Sequence, residues 1–196
     1  MTQGRVMRCR RQWLAVWLLC VAATLPAGAR EIAPPLPAVG TVEVLFPPWD
    51  DAEAALIIAV DAARQQVLVQ AFLLTSRKIA ASLVAAHRRG VDVRVLADAR
   101  QHAEHAGSLL VSLSESGIPV ALETRYRHAH NKLMVIDAAG GLPVVITGSF
   151  NYTWSAQHKN AENLLILRGH AALADRYARN WWRHRVQATS LEAERK

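Results

Sequence analysis

The amino-acid sequence predicts an α/β layered domain. From Thr41 to Ala97 short β-rich runs alternate with stretches of helical spacing, the rhythm of βαβ units. The helical stretches carry their own start and stop residues, with Ser76 placed to cap one and Gly90 to terminate it. Beyond Pro119 the chain becomes denser in strands and closes on one last helix.

In chain order, residues 1–29 stand apart from the fold. Four arginines (Arg5, Arg8, Arg10, Arg11) precede an uncharged apolar run from Trp13 to Leu25, and Ala27-Gly28-Ala29 closes the segment. That is the pattern of a cleavable export signal, with cleavage expected after Ala29. The 13-residue run is short of the roughly 20 apolar residues of a membrane span. Arg10-Arg11 also faintly resembles a twin-arginine signal, but the general secretory route is the expectation. Cys20 lacks the small residue a lipoprotein signal needs, since Leu18-Leu19 precede it. Both cysteines, Cys9 and Cys20, lie in this segment, so an exported domain would be held by its core alone. The expected location is the periplasm or the outside of the cell.

Residues 30–40 read as a spacer, because APPLPAVG, Ala33 to Gly40, removes backbone donors and discourages regular structure. The domain is expected from residue 41 to 187. Strands are expected at Thr41 to Phe46, Gln66 to Phe72 and Val91 to Ala97, with helices at Asp51 to Ala63 and Ser76 to Arg89. A third helix is expected from about Glu104 to Ser116, ended by Gly117 and Pro119. Strands follow at Val120 to Glu123, Lys132 to Ile136, Val144 to Thr147 and Asn163 to Leu167, then a helix from His170 to Arg185. Residues 188–196 read as a frayed polar tail.

Charge bounds the partners only weakly. Without the four arginines of the first 29 residues, the rest carries 19 basic against 16 acidic side chains, a net +3. Local clusters say more: Arg88-Arg89, Arg125-Tyr126-Arg127-His128, and Arg179 to Arg185 with Trp181 and Trp182 between. Arg125 to Arg127 can track a nucleic-acid backbone with Tyr126 free to stack, or can be ordinary solvated surface. Trp181-Trp182 reads as core or dimer-interface packing before base stacking. Arg88 and Arg89 are expected to face the carbonyls ending their own helix.

Chemistry concentrates in HNKLMVID, residues 130 to 137. In a strand, side chains alternate, so His130 and Lys132 share a face while Asp137, at an odd offset, points away. Asp137 therefore reads as a structural acid. Ser149 and Asn151, at the exit of the Val144 to Thr147 strand, share parity and can both donate to one anion. Glu162 stands at the entrance to the next strand, where it could accept the second ring N–H of His130 and raise its basicity. Together these groups fit phosphate binding by Lys132, Ser149 and Asn151 during attack by an oriented imidazole. The set requires no metal or other cofactor. His128, His102 and His105 match no zinc spacing, and His128 reads as added positive potential at mildly acidic pH.

His130-x-Lys132-x4-Asp137, then Gly148-Ser149-Phe150-Asn151, then Glu162, resembles the HKD motif of the phospholipase D superfamily. GSFNYTWSAQHKNAENLLIL is most similar to the small, exported, single-motif endonucleases of the Nuc type. The resemblance implies a layered sandwich with a central mixed β-sheet flanked by helices. It implies that the motif histidine forms a phosphohistidine while a second motif histidine protonates the leaving oxygen. Only His130 is followed two residues later by lysine, so the resemblance further implies a homodimer sharing one site. The implied substrate is nucleic acid, DNA first and RNA beside it; phospholipid head groups, or binding without turnover, are the rival readings. The loop Ala138 to Pro143 looks like a roomy hairpin turn outside the site.

Overall fold

A computed structural model describes residues 32–194, so the export-signal reading lies outside the described residues. No helix among the described residues is long and apolar enough to cross a membrane. Residues 32–39 have no regular secondary structure, and the unit built from Leu36 onward begins its regular elements at Thr41.

The elements run β1 (Thr41–Leu45), α1 (Ala52–Asp61), β2 (Gln66–Ala71), α2 (Arg77–Arg88), β3 (Asp92–Asp98), α3 (Ala99–Glu104) and α4 (Leu110–Glu115). There follow β4 (Val120–Glu123), β5 (Lys132–Ile136), β6 (Val144–Gly148), α5 (Trp154–His158), β7 (Leu164–Arg168), α6 (Ala171–Arg185), β8 (Thr189–Ser190) and α7 (Leu191–Glu194). All eight strands join one mixed sheet in the order β1-β7-β6-β5-β2-β3-β4-β8. β2, β3 and β4 are mutually parallel, and the other pairings are antiparallel.

Strand alternation sorts the sheet into two faces. Val67, Val69, Val93, Val95, Met134 and Ile146 enter a large core, completed by Leu56, Val60, Ile79, Leu83 and Leu113 of α1, α2 and α4. The apolar spacing of α2, Ile79-Ser82-Leu83-Ala86, puts one stripe on that core. Leu68, Leu96, Leu133, Val135 and Val145 point the other way, against α6. That helix presents Leu173, Ala174, Tyr177, Ala178 and Trp181 at helical spacing. Trp181 is wholly buried and donates its indole N–H to the Val69 carbonyl at 2.8 Å, whereas Trp182 stays partly exposed.

Helix ends follow local chemistry. Asp51, Ser76 and Asp98 accept backbone N–H groups at the starts of α1, α2 and α3, and Gly90 takes φ +90° just past the end of α2. Three expectations need correcting. The expected helix from Glu104 to Ser116 is two short helices, because the Asp98 carboxylate starts a helix at Ala99 and His105 turns extended ahead of Gly107. Arg89 serves a neighbour instead of its own helix, donating to the Val60 and Asp61 carbonyls ending α1. The polar tail is partly ordered, since Thr189–Ser190 pairs with β4 and Leu191 is buried. α5 was unforeseen, although Thr153 caps it by accepting from the Ala156 N–H at 3.1 Å.

Topology positions the site. The parallel strands β2, β3 and β4 all end on one side of the sheet. Antiparallel pairing brings the start of β5, the end of β6 and the start of β7 to the same side: Ala71 faces Lys132, Leu133 faces Thr147, and Gly148 faces Leu164.

Candidate active site

His130 lies two residues ahead of Lys132, which opens β5. The imidazole belongs to an exposed residue, whereas Lys132 is 5% exposed. An ammonium this buried must find partners or lose its proton. Its Nζ donates to the His130 carbonyl at 3.0 Å and stands 4.6 Å from the centroid of the Phe72 ring. The His130 imidazole meets the same ring edge-on, with centroids 4.4 Å apart. Phe72, the first residue beyond β2, therefore joins the nucleophile candidate to the ammonium.

The backbone approach to His130 is fixed from below. Asp98, 1% exposed at the end of β3, accepts the Ala129 N–H at 2.6 Å and the Gln101 N–H at 2.8 Å. Burial, followed by the positive charges of Lys132 and His128, holds the His130 pKa below its ordinary value, while Asp98 pulls it up. The neutral imidazole, with a free lone pair, is thus favoured near neutral pH. Burial pushes the Lys132 ammonium down to about 8, against the opposing pull of Glu162.

Glu162 and Ser149 form a second cluster. Glu162 accepts the Ser149 hydroxyl at 2.5 Å and the Asn160 side-chain amide at 2.9 Å. Ser149 accepts the Asn163 N–H at 3.0 Å, and its own N–H donates to the Asn163 carbonyl at 3.1 Å. This close approach requires Gly148, where a Cβ would stand 2.2 Å from the Asn163 carbonyl oxygen. Within one chain Glu162 makes its hydrogen bonds to Ser149 and Asn160 rather than to His130. Asn151 has its carbonyl oxygen Oδ1 buried with no partner, while the Ser149 hydroxyl is engaged by Glu162.

Asp137 lies at the other end of β5, away from His130. Its carboxylate accepts the N–H groups of Arg64, Gln65 and Gln66 at 2.7–2.9 Å, with its own backbone at φ +49°. The hairpin turn after it is equally remote from His130.

Sequence reasoning missed Phe72 and Asp98, because neither belongs to a motif and both act through folding. It also missed a buried polar chain under the basic loop. Glu123, 3% exposed, accepts the Gln70 amide at 2.7 Å and meets Nδ1 of His184 at 2.5 Å. The Tyr126 ring lies over His184 at 5.3 Å, tying the exposed Arg125 to Arg127 stretch to α6. Among the described residues, no three His, Cys, Asp or Glu side chains converge as a metal site.

Comparison with known proteins agrees with the geometry. Residues 56–185 match the family model described as "Cardiolipin synthase, PLD-like domain". A phospholipase D of Rickettsia prowazekii is 32% identical over 150 residues, 76% of this chain and 70% of that protein. A mitochondrial cardiolipin hydrolase of Xenopus laevis is 32% identical over 121 residues, 62% of this chain and 55% of that one. Nuc of Salmonella typhimurium, a phospholipase D family member of known crystal structure, superposes with a TM-score of 0.70. It is 29% identical, and the match covers 78% of this chain and 98% of that one. The chain belongs to the phospholipase D superfamily, a superfamily of phosphodiesterases, with the layered mixed-sheet fold of Nuc.

Proposed function

We propose that the chain is an endonuclease that hydrolyses phosphodiester bonds of DNA, and of RNA, without sequence preference and without a metal, through a phosphohistidine on His130. The observation that carries this reading is the pairing of an exposed, neutral-leaning His130 imidazole with the buried Lys132 ammonium around one aromatic ring. A ring nitrogen of His130 attacks phosphorus while Lys132 meets the charge of the non-bridging oxygens. The P–O bond to the leaving oxygen breaks, and that oxygen takes a proton from a second imidazole. Water then attacks the phosphohistidine, restoring the free histidine and releasing the phosphate-ended product. With one H-x-K per chain, the second imidazole comes from His130 of a second copy, so the working unit is a symmetric dimer. Ser149 and Asn151 join phosphate binding once substrate and partner are present, and Glu162 aligns them. Asp137 is a structural acid.

Nucleic acid is favoured as substrate by the likeness to Nuc and by the exposed Arg125, Tyr126 and Arg127 beside the site. Hydrolysis of phospholipid head groups is the second reading, favoured by relatives named phospholipase D and cardiolipin hydrolase. The site of action is the periplasm or the medium, reached by the N-terminal signal. Plasmid, RNA and phospholipid vesicles offered in parallel with EDTA present test the assignment. Cleavage of plasmid that survives chelation is expected; activity on vesicles alone, or activity restored only by added metal, would overturn it.

A further inference from the structure

The end of the sheet opposite His130 holds a cleft of about 540 Å³, within the ~300–1,000 Å³ typical of small-molecule sites. Ala59, Ile136 and Val144 line it with apolar surface, and Arg64, Arg168 and the Gly140-Gly141 turn complete it. β5 separates it from His130 by a distance on the order of 15–20 Å, so it is no part of the active site.

Its two arginines are incompletely matched. Arg168 directs Nη2 to Glu43 at 3.3 Å, while Nη1 is buried with no acceptor. Buried donors are nearly always paired, and Arg168, which lines the cleft with a partly exposed guanidinium, keeps donor capacity that the chain itself does not use. Arg64 uses its backbone N–H on Asp137, but its guanidinium has no ion-pair partner among the described residues. Asp137 also lines the cleft, yet its carboxylate oxygens are taken up by three backbone N–H groups. No aromatic side chain lines the cleft, so a nucleobase would find no ring to stack on. Leu142, 78% exposed, extends the apolar wall toward solvent.

We propose that this cleft binds an anionic amphiphile: a single carboxylate or phosphate head held by Arg168 and Arg64, with a hydrocarbon body against Ala59, Ile136, Val144 and Leu142. The inference stands independently of the reaction at His130.

Calorimetric titration of the full chain with decanoate, decyl phosphate, inorganic phosphate and decyltrimethylammonium tests it. At least one decyl anion is expected to bind at a single site, the tighter one identifying the head group. Inorganic phosphate should bind at least tenfold more weakly and the cation not at all. Arg168→Gln and Arg64→Gln should each weaken binding at least tenfold. Gly141→Leu should do the same with both arginines intact, since Gly141 lines the cleft and a Cβ there meets nothing within 4 Å, leaving room for added bulk. His130→Asn should leave binding unchanged. Absence of anion binding, cation binding of equal strength, indifference to the Arg168 and Gly141 substitutions, or loss of binding in His130→Asn would overturn the proposal.

Discussion

The ammonium of Lys132 and the ring of Phe72 are 4.6 Å apart, and the same ring meets the His130 imidazole at 4.4 Å. One apolar side chain thus sets the spacing of the two groups expected to meet a phosphate. Cation–π contacts in desolvated positions contribute about 1–2 kcal/mol. Phe72→Leu should therefore lower kcat on a small chromogenic phosphodiester about five- to thirtyfold, while Phe72→Tyr retains most of it. An unchanged kcat in Phe72→Leu would show that the ring is only filler.

Activity should follow a bell in pH. On the alkaline side it should fall first as the second copy's His130 loses the proton it gives the leaving oxygen, and fall again as pH rises through about 8, where Lys132 loses the proton that makes it useful to a phosphate. On the acid side the limb should lie lower than an ordinary histidine would put it, because burial and the nearby positive charges disfavour a proton on His130. Asp98 raises the His130 pKa, so Asp98→Asn should move the acid limb to still lower pH. A kcat/KM profile against pH for the two proteins checks both limbs; an acid limb that moves upward would contradict the assignment.

Lys132 should be costly to the fold. Its folded pKa, about 8, lies below the ordinary 10.5, so the unfolded chain binds more protons between those values. Stability from this group therefore rises as pH goes from about 8 to 10.5, and the full penalty is present below 8. Lys132→Met should be inactive yet more stable by about 1–2 kcal/mol at pH 7, with the gain shrinking above pH 8. Urea unfolding at pH 7 and pH 10 measures it; a destabilised variant at pH 7 would contradict the burial argument.

Asp137→Ala should act on stability alone. Three backbone N–H groups lose their acceptor, at a cost of about 2–4 kcal/mol, and alanine tolerates the positive φ poorly. Asp137→Asn should recover part of the loss, because asparagine keeps one acceptor and accepts positive φ. Activity per folded molecule, measured alongside thermal unfolding, should remain near that of the parent; a selective loss of kcat would make Asp137 part of the chemistry.

The sheet was legible because its signal is local. Alternating apolar residues, Ser76, Gly90 and the strand runs locate seven of the eight strands and the long helices, α1, α2 and α6, within a residue or two. Residues 104–116 misled because helical spacing hides the Asp98 cap and the extended His105, which decide where the turn falls. Two-residue β8 carries too little pattern to be seen, and only Leu191 behind it hints at order. Within the site, strand parity places His130 and Lys132 on one face, but it says nothing about the side chain between them. Phe72 and Asp98 come from β2 and β3, and only the pairing of Ala71 with Lys132, and Asp98 reaching Ala129, brings them there. Glu162 shows the converse limit: its place at a strand entrance is readable, whereas its choice of Ser149 over His130 depends on the Gly148 approach to Asn163.

The central claim is that His130 becomes covalently phosphorylated by its substrate. Rapid quenching of the full chain with a short phosphodiester oligonucleotide, followed by peptide mass spectrometry, measures this directly. The account predicts a phosphate-linked adduct on the peptide carrying His130, absent from His130→Asn, on no more than one chain of each dimer. Turnover without any adduct at His130, or cleavage that persists in His130→Asn, would contradict it.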